Sequence, residues 1–147
     1  MKIIIAGDRE IDENNLNLVH DAILASGFNI TQVVSGVAKG GDTLGENWAK
    51  LNRIRIKQFK ADWNDITAPG AVIKVGKFGP YNAKAGFDRN QLMADYAEGL
   101  IALQPNGETG GTSDMIDRAR KRGIPVFVYP PNIFTETSSK NEYVYTF

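Results

Sequence analysis

Three short segments pair glycines with small polar or charged residues in a way that suits holding an anion: Gly7-Asp8-Arg9, the stretch Ser35-Gly36-Val37-Ala38-Lys39-Gly40-Gly41-Asp42, and Gly107 to Ser113. Each follows an apolar run and precedes a helical pattern. Each is therefore expected to present backbone N–H groups at a helix N-terminus, where unpaired donors and the positive dipole end favour an anion by ~0.3–1 kcal/mol. One such loop is equally well explained as a tight turn, because glycine tolerates turn geometry at no steric cost. Three in one chain point to a ligand site. Other chemistry drops out on composition. With no Cys and a single His, His20, there is no basis for disulfides, cysteine zinc sites, thiol nucleophiles or Ser-His-Asp machinery, and no metal site is expected. The first apolar run is not followed by G-x-G-x-x-G, and no G-x-x-x-x-G-K-[ST] exists, so hydride and phosphoryl transfer lose their usual fingerprints and no cofactor is expected.

Those loops need a scaffold, and the periodicity supplies one. Residues 2–6 form a short, mostly β-branched run closed by Gly7, as in a strand buried on both faces of a parallel sheet. Asp12 can cap a helix with Leu16, Val19, Ile23 and Leu24 on one stripe, ended by Gly27; His20 on that helix reads as a half-buried residue rather than a ligand. Gln32–Ser35 reads as the second strand, and Leu44, Trp48 and Leu51 follow at helical spacing. Arg55–Phe59 is a third strand. Asp88 and Gln91 have capping-box spacing before a helix bearing Leu92, Met93 and Tyr96. Leu100–Leu103 is a fourth strand, a helix runs to about Arg122, and Val126–Tyr129 is a fifth. Strands alternating with helices across glycine turns predict an α/β, three-layer Rossmann-like sandwich with a mostly parallel five-stranded sheet. Ligands of such sheets lie beyond the carboxyl ends of the strands, where the strand order reverses.

The chain of 147 residues is one domain's worth at ~150 residues per domain, read here as residues 1–130 with a loop insertion at about 64–86 and a tail over 131–147. The insertion lacks clear periodicity and carries Lys74, Lys77 and Lys84 with no acidic residue from Ala68 to Phe87, so it reads as a mobile lid whose ammonium groups meet an anionic ligand, or else as a solvated loop or an oligomer arm. Seventeen basic residues against seventeen acidic leave no overall field to draw the molecule onto nucleic acid or membrane, so any anion site must be local. The basic run from Arg118 to Arg122 complements a helix C-terminus. The N-terminal apolar run is too short for a signal peptide or a span of ~20 residues, and a cytoplasmic protein is expected. The apolar end Tyr143–Phe147 suits pairing in a homo-oligomer.

Three stretches resemble one family in order along the chain. Val33-Val34-Ser35-Gly36-Val37-Ala38-Lys39-Gly40-Gly41-Asp42, followed by Glu46, Trp48 and Ala49, is similar to V-S-G-G-A-[RK]-G-A-D of the YspA/YpsA-related branch of the SLOG superfamily. Ala85 to Met93 resembles its A-G-x-x-R-N-x-x-M, and Gly110 to Ile116 its G-x-G-T-x-x-M-[IV]. The resemblance implies a Rossmann-like sheet binding a nucleotide or nucleotide-derived small molecule, in a family common in bacteria and bacteriophages. It assigns the pocket to Gly7, Arg9, Gly36, Lys39, Gly40, Asp42, Arg89, Asn90, Gly111 and Thr112, with Gly110 and Asp8 beside them. Arg89 offers a planar fork for phosphate, Lys39 a point charge, and Thr112 with the amides of Gly110 and Gly111 an oxyanion cradle. Asp42 is explained first as a helix N-cap, a role that needs no ligand.

Departures from the pattern shape the expected function. Asp8 stands where the family has a small hydroxyl residue and suits ribose hydroxyls or a base amine. Related phosphoribohydrolases carry a catalytic glutamate at the position of Met115, and a thioether cannot do that work. Asp114 lies ~100° further round the helix, leaving Asp8, Asp42 and Glu108 as candidate catalytic carboxylates. The leading expectation is a sensor, carrier or sequestering protein for a nucleotide signal. The alternatives are a hydrolase of an N-glycosidic bond or phosphoester, and a single-stranded DNA-binding module, against which the missing aromatic and basic stripe weighs.

Overall fold

A computed structural model of the chain describes residues 1–104 and 110–130. Strands β1 (Lys2–Gly7), β2 (Gln32–Ser35), β3 (Arg55–Gln58), β6 (Gly99–Leu103) and β7 (Val126–Tyr129) form a five-stranded sheet in the order β3-β2-β1-β6-β7, and every pairing is parallel. The order grows outward from β1 in both directions, so the reversal falls between β1 and β6. Helices α1 (Leu16–Ser26), α2 (Gly41–Leu51), α3 (Ala85–Tyr96) and α4 (Gly110–Arg122) supply the crossovers.

The two faces of β1 explain the layers. Ile3 and Ile5 point into one core with Val19, Ile23 and Leu44 from α1 and α2, while Ile4 and Ala6 point into a second with Met93, Met115 and Ile116 from α3 and α4. Side chains alternate across a strand, so an unbroken apolar run can serve both cores only in a central strand. Ile3, Ile4 and Ile5 are wholly buried, which is worth roughly 1.5–3 kcal/mol each.

The structure differs from the sequence reading at several places. Asp12 caps a short 3-10 turn over Glu13–Asn15, accepting from the Asn14 amide, and α1 follows it. His20 and Leu24 lie on the exposed side of α1 rather than on its stripe. The third helix begins at Ala85, three residues before Asp88, which pairs with Lys84 at 2.7 Å instead of capping. The insertion is not structureless: β4 (Ile73–Gly76) and β5 (Gly79–Asn82) make an antiparallel hairpin. Tyr143–Phe147 and the rest of the tail lie outside the described residues.

At the start of α2 the backbone of the glycine loop lies directly on β1. Gly40 has φ +86, and a Cβ there would fall 2.0 Å from the Asp8 carbonyl oxygen; at Gly41 it would fall 2.2 Å from the Gly7 amide nitrogen. Neither neighbour is a flexible side chain. Gly41→Ala is therefore expected to cost about 3 kcal/mol or more, beyond ordinary overpacking, read as a lowered midpoint in urea unfolding. A loss under about 1 kcal/mol would mean that α2 does not sit this close to β1.

Candidate functional site

A cleft of about 850 Å³ opens beyond the carboxyl end of the sheet, walled by the ends of β1 and β2, the start of α4, the first turns of α3 and the hairpin. It lies where the strand order reverses, and its volume falls within the ~300–1,000 Å³ common for small-ligand sites. Gly7, Arg9, Lys39, Asp42, Arg89, Asn90, Gly110, Gly111 and Thr112 all line it. Four separate stretches of chain thus meet in one place.

Arg89 anchors the site. Its Nη1 donates to the Gly36 carbonyl, and its Nε donates to Asn90 Oδ1 at 3.0 Å. Guanidinium carries five donors, so these two fix the fork and leave three for a ligand. Burial lowers the Arg89 pKa from its usual value, opposed by the attraction of Asp42 and Asp114. Asn90 is itself buried and donates to Asp114 Oδ2 at 3.0 Å. Asp114 also accepts from Arg118 Nε at 2.8 Å, so this carboxylate is engaged behind the cleft, while Met115 lines it. Arg118 and Arg122, from the basic run, are occupied in ion pairs with Asp114 and Asp95.

Asp42 does not cap α2. Gly40 occupies the N-cap position, and the Asp42 carboxylate turns back to accept from the Ala38 amide at 3.1 Å. Burial pushes its pKa up to about 6, with the Ala38 amide and Arg89 pulling the other way. The neighbouring Gly36 has no room for a side chain: a Cβ would meet Asp42 Oδ2 at 2.8 Å and Arg89 Nη1 at 2.9 Å. Gly36 and Gly40 therefore shape the site without lining it.

The three glycine turns are not equivalent. The Asp8 amide donates to the Leu103 carbonyl at 3.1 Å, so the first turn spends that donor on the sheet. In the second, Ser35 Oγ accepts from the Val37 amide at 3.0 Å and donates to Glu46 Oε2 at 2.6 Å. With Ala38 bound to Asp42, the amides at the root of this loop are also spent. At Gly110 and Gly111 no atom of the described residues lies within 4 Å of an added Cβ. Thr112 lies buried beside them in the first turn of α4. Val37, where the family pattern has its second glycine, is held at φ 59, a strained conformation for a β-branched residue, on the rim of the cleft.

Asp8 is placed differently from the expectation. Its side chain is buried, engaged within the fold, and is not among the lining residues. Glu108 lies outside the described residues. Of the three lysines in the insertion only Lys74 lines the cleft; Lys84 is paired with Asp88, and Lys77 sits over the Phe78 ring at 5.6 Å. Glu10, Trp63 and Tyr81 also line the cleft, beyond the residues that the sequence assigned to it, and Lys74 reaches it from the insertion. Alternation through Ile73-Lys74-Val75 was the signal for the hairpin that carries Lys74 and Tyr81.

Fold and cleft define a doubly wound, Rossmann-like α/β protein with its opening at the switch point. Residues 1–65 match the model of the YAcAr family, described as the YspA, cpYpsA-related SLOG family, and the SLOG resemblance read from the sequence is borne out. No curated protein sequence matches the chain. Among solved structures the chain is similar to DNA processing protein A (DprA) from Streptococcus pneumoniae, at TM-score 0.63 and 23% identity over 90% of this chain. The match covers 51% of that protein, so this chain spans about half its length, and the likeness is one of fold. No helix among the described residues is long and apolar enough to cross a membrane.

Proposed function

We propose that the cleft binds a nucleotide or nucleotide-derived small molecule through its phosphate, and that the protein acts as a sensor, carrier or sequestering protein for that ligand. The observation that carries this reading is the convergence of Arg9, Lys39, Lys74 and Arg89 with the start of α4 around one cleft in a chain of zero net charge. Against those four cations stand Glu10 and Asp42, and Asp42 is half protonated near pH 6. The SLOG match over residues 1–65 supports the same direction.

One feature favours a second reading. A carboxyl that titrates near 6 inside a cleft is poised for general acid catalysis, so Asp42 is the residue through which a nucleotide hydrolase would act. The position that carries the phosphoribohydrolase glutamate is Met115 here, which weighs towards binding alone. A DNA strand is the other polyanion suited to a basic cleft, and the name of the structural neighbour points that way.

A panel of nucleoside mono- and diphosphates, with a short single-stranded oligonucleotide, separates the three. Saturating ligand at 100 times its dissociation constant adds ~2.7 kcal/mol. In a domain of this size that raises the melting temperature by roughly 5–10 °C. The expected result is such a shift with at least one mononucleotide and no released base or phosphate by chromatography. Turnover abolished in Asp42→Asn would assign the hydrolase, and oligonucleotide binding that falls steeply with salt would assign DNA.

A further inference from the structure

The segment between β3 and α3 does more than border the cleft. Lys74 and Tyr81 are direct cross-strand partners in the hairpin, so their side chains share one face, and both line the cleft. Val75, on the opposite face, is 81% exposed. Trp63 lines the same wall, with its ring centroid 6.3 Å from that of Tyr81 at 70°. An edge-on neighbour braces an indole without covering it as a stacked ring would, and Trp63 remains 44% exposed.

This wall is fixed to the body. The Asn82 amide donates to the Trp63 carbonyl at 2.7 Å, and the Ala83 amide to the Val72 carbonyl at 2.7 Å. Buried Asn82 accepts through Oδ1 from the amides of Val72 and Lys84, tying the hairpin to the start of α3. There Gly86 leaves space for the indole, since a Cβ would fall 2.7 Å from Trp63 Cη2. Two half-exposed or partly buried aromatic rings and a cation therefore face a cleft whose other wall holds Arg89 and the start of α4. An anion cradle alone does not require aromatic rings.

We propose that this segment is a base-recognition subsite: a nucleobase stacks on Trp63 beside Tyr81 while its phosphate lies towards Arg89, so that the protein selects nucleotides over sugar phosphates. The inference rests on the phosphate-binding reading of the cleft and assigns the other half of the ligand. Base stacking on an aromatic side chain is sequence-tolerant and grows with ring area, so purine nucleotides bind more tightly than pyrimidine ones.

The test compares adenosine 5′-monophosphate with ribose 5-phosphate by titration calorimetry, on the wild-type chain and on Trp63→Leu, which keeps apolar bulk against Gly86 without a planar face. The wild type is expected to bind the nucleotide about tenfold more tightly than the sugar phosphate. Trp63→Leu is expected to erase that difference while leaving ribose 5-phosphate affinity within twofold. Independently of any variant, the nucleotide should quench tryptophan emission of the wild-type protein and ribose 5-phosphate should not. Equal affinity for the two ligands in the wild type, or an equal loss of both in Trp63→Leu, overturns the subsite and leaves the phosphate cleft standing. Binding of neither overturns the cleft itself and the subsite with it.

Discussion

Arg89→Ala is expected to weaken binding of adenosine 5′-monophosphate about 100-fold, which corresponds to about 2.7 kcal/mol. The size follows from what the side chain does in the fold. Its fork is pinned at one end by the Gly36 carbonyl and by Asn90, so the remaining donors reach a ligand already oriented. Truncating a buried, hydrogen-bonded charge typically costs 2–5 kcal/mol, partly because its partner is left behind. Arg89 is partly buried, its hydrogen-bond partners left behind would be the Gly36 carbonyl and Asn90, and its attraction opposes the burial that raises the Asp42 pKa. The alanine variant should therefore also push the Asp42 pKa further above 6. Arg89→Lys is expected to recover less than about tenfold of the loss, because an ammonium supplies one point where the site is shaped for a plane. Calorimetric titration of both variants checks the claim, with thermal unfolding run alongside to confirm that each is folded. Full rescue by lysine would show that only the charge matters.

The second large effect runs through Asp42. Its folded pKa of about 6 stands above the ordinary value of 3.8, so between those values the folded chain holds a proton that the unfolded chain has lost. Stability from this group is thus greatest below about pH 4, falls as pH rises through 6, and is lower by roughly 3 kcal/mol on the alkaline side. Asp42→Asn keeps an oxygen to accept from the Ala38 amide and removes the buried charge. It is expected to stabilise the protein at pH 8 by roughly 1–2 kcal/mol, the gain being reduced by the lost attraction to Arg89. Binding follows the same sign. Above pH 6 the Asp42 carboxylate repels a phosphate, so wild-type affinity should rise as pH falls from 8 to 5, relative to Asp42→Asn measured in parallel. Comparing the two proteins cancels the titration of the phosphate itself. Glu46 also faces Asp42 and is tied to Ser35 and Gln58, so it remains as a common background in both. A variant whose affinity and stability track the wild type at every pH would remove Asp42 from the account.

Much of the scaffold was legible because the central strands β1, β2 and β6 are short apolar runs that contain or adjoin glycine. Gln32–Ser35 and Val126–Tyr129 are found as read, and Arg55–Gln58 is one residue shorter. What failed did so for local reasons. Gly76-Lys77-Phe78-Gly79-Pro80 looks like a run of breakers, yet a two-stranded ribbon accepts glycine and proline because both its strands are edges. Asp88 and Gln91 imitate a capping box, but α3 has already begun at Ala85, and the two side chains pair with Lys84 and Asp95 along the helix. In the cleft, the family resemblance pointed to Arg89, Lys39 and Thr112, and a fork, a point charge and a hydroxyl suit phosphate at those positions. Orientation was not legible. Asp8 and Asp42 are both acids beside glycine turns and both are buried, yet only Asp42 lines the cleft.

The most direct test of the anion cradle is a titration of the 15N-labelled protein with adenosine 5′-monophosphate, followed by amide and arginine Nε chemical shifts. The amides of Gly110, Gly111 and Thr112 and the Nε–H of Arg89 are expected to move together, with one shared dissociation constant. Shifts confined to other surfaces, with these four signals unmoved at saturation, would contradict it.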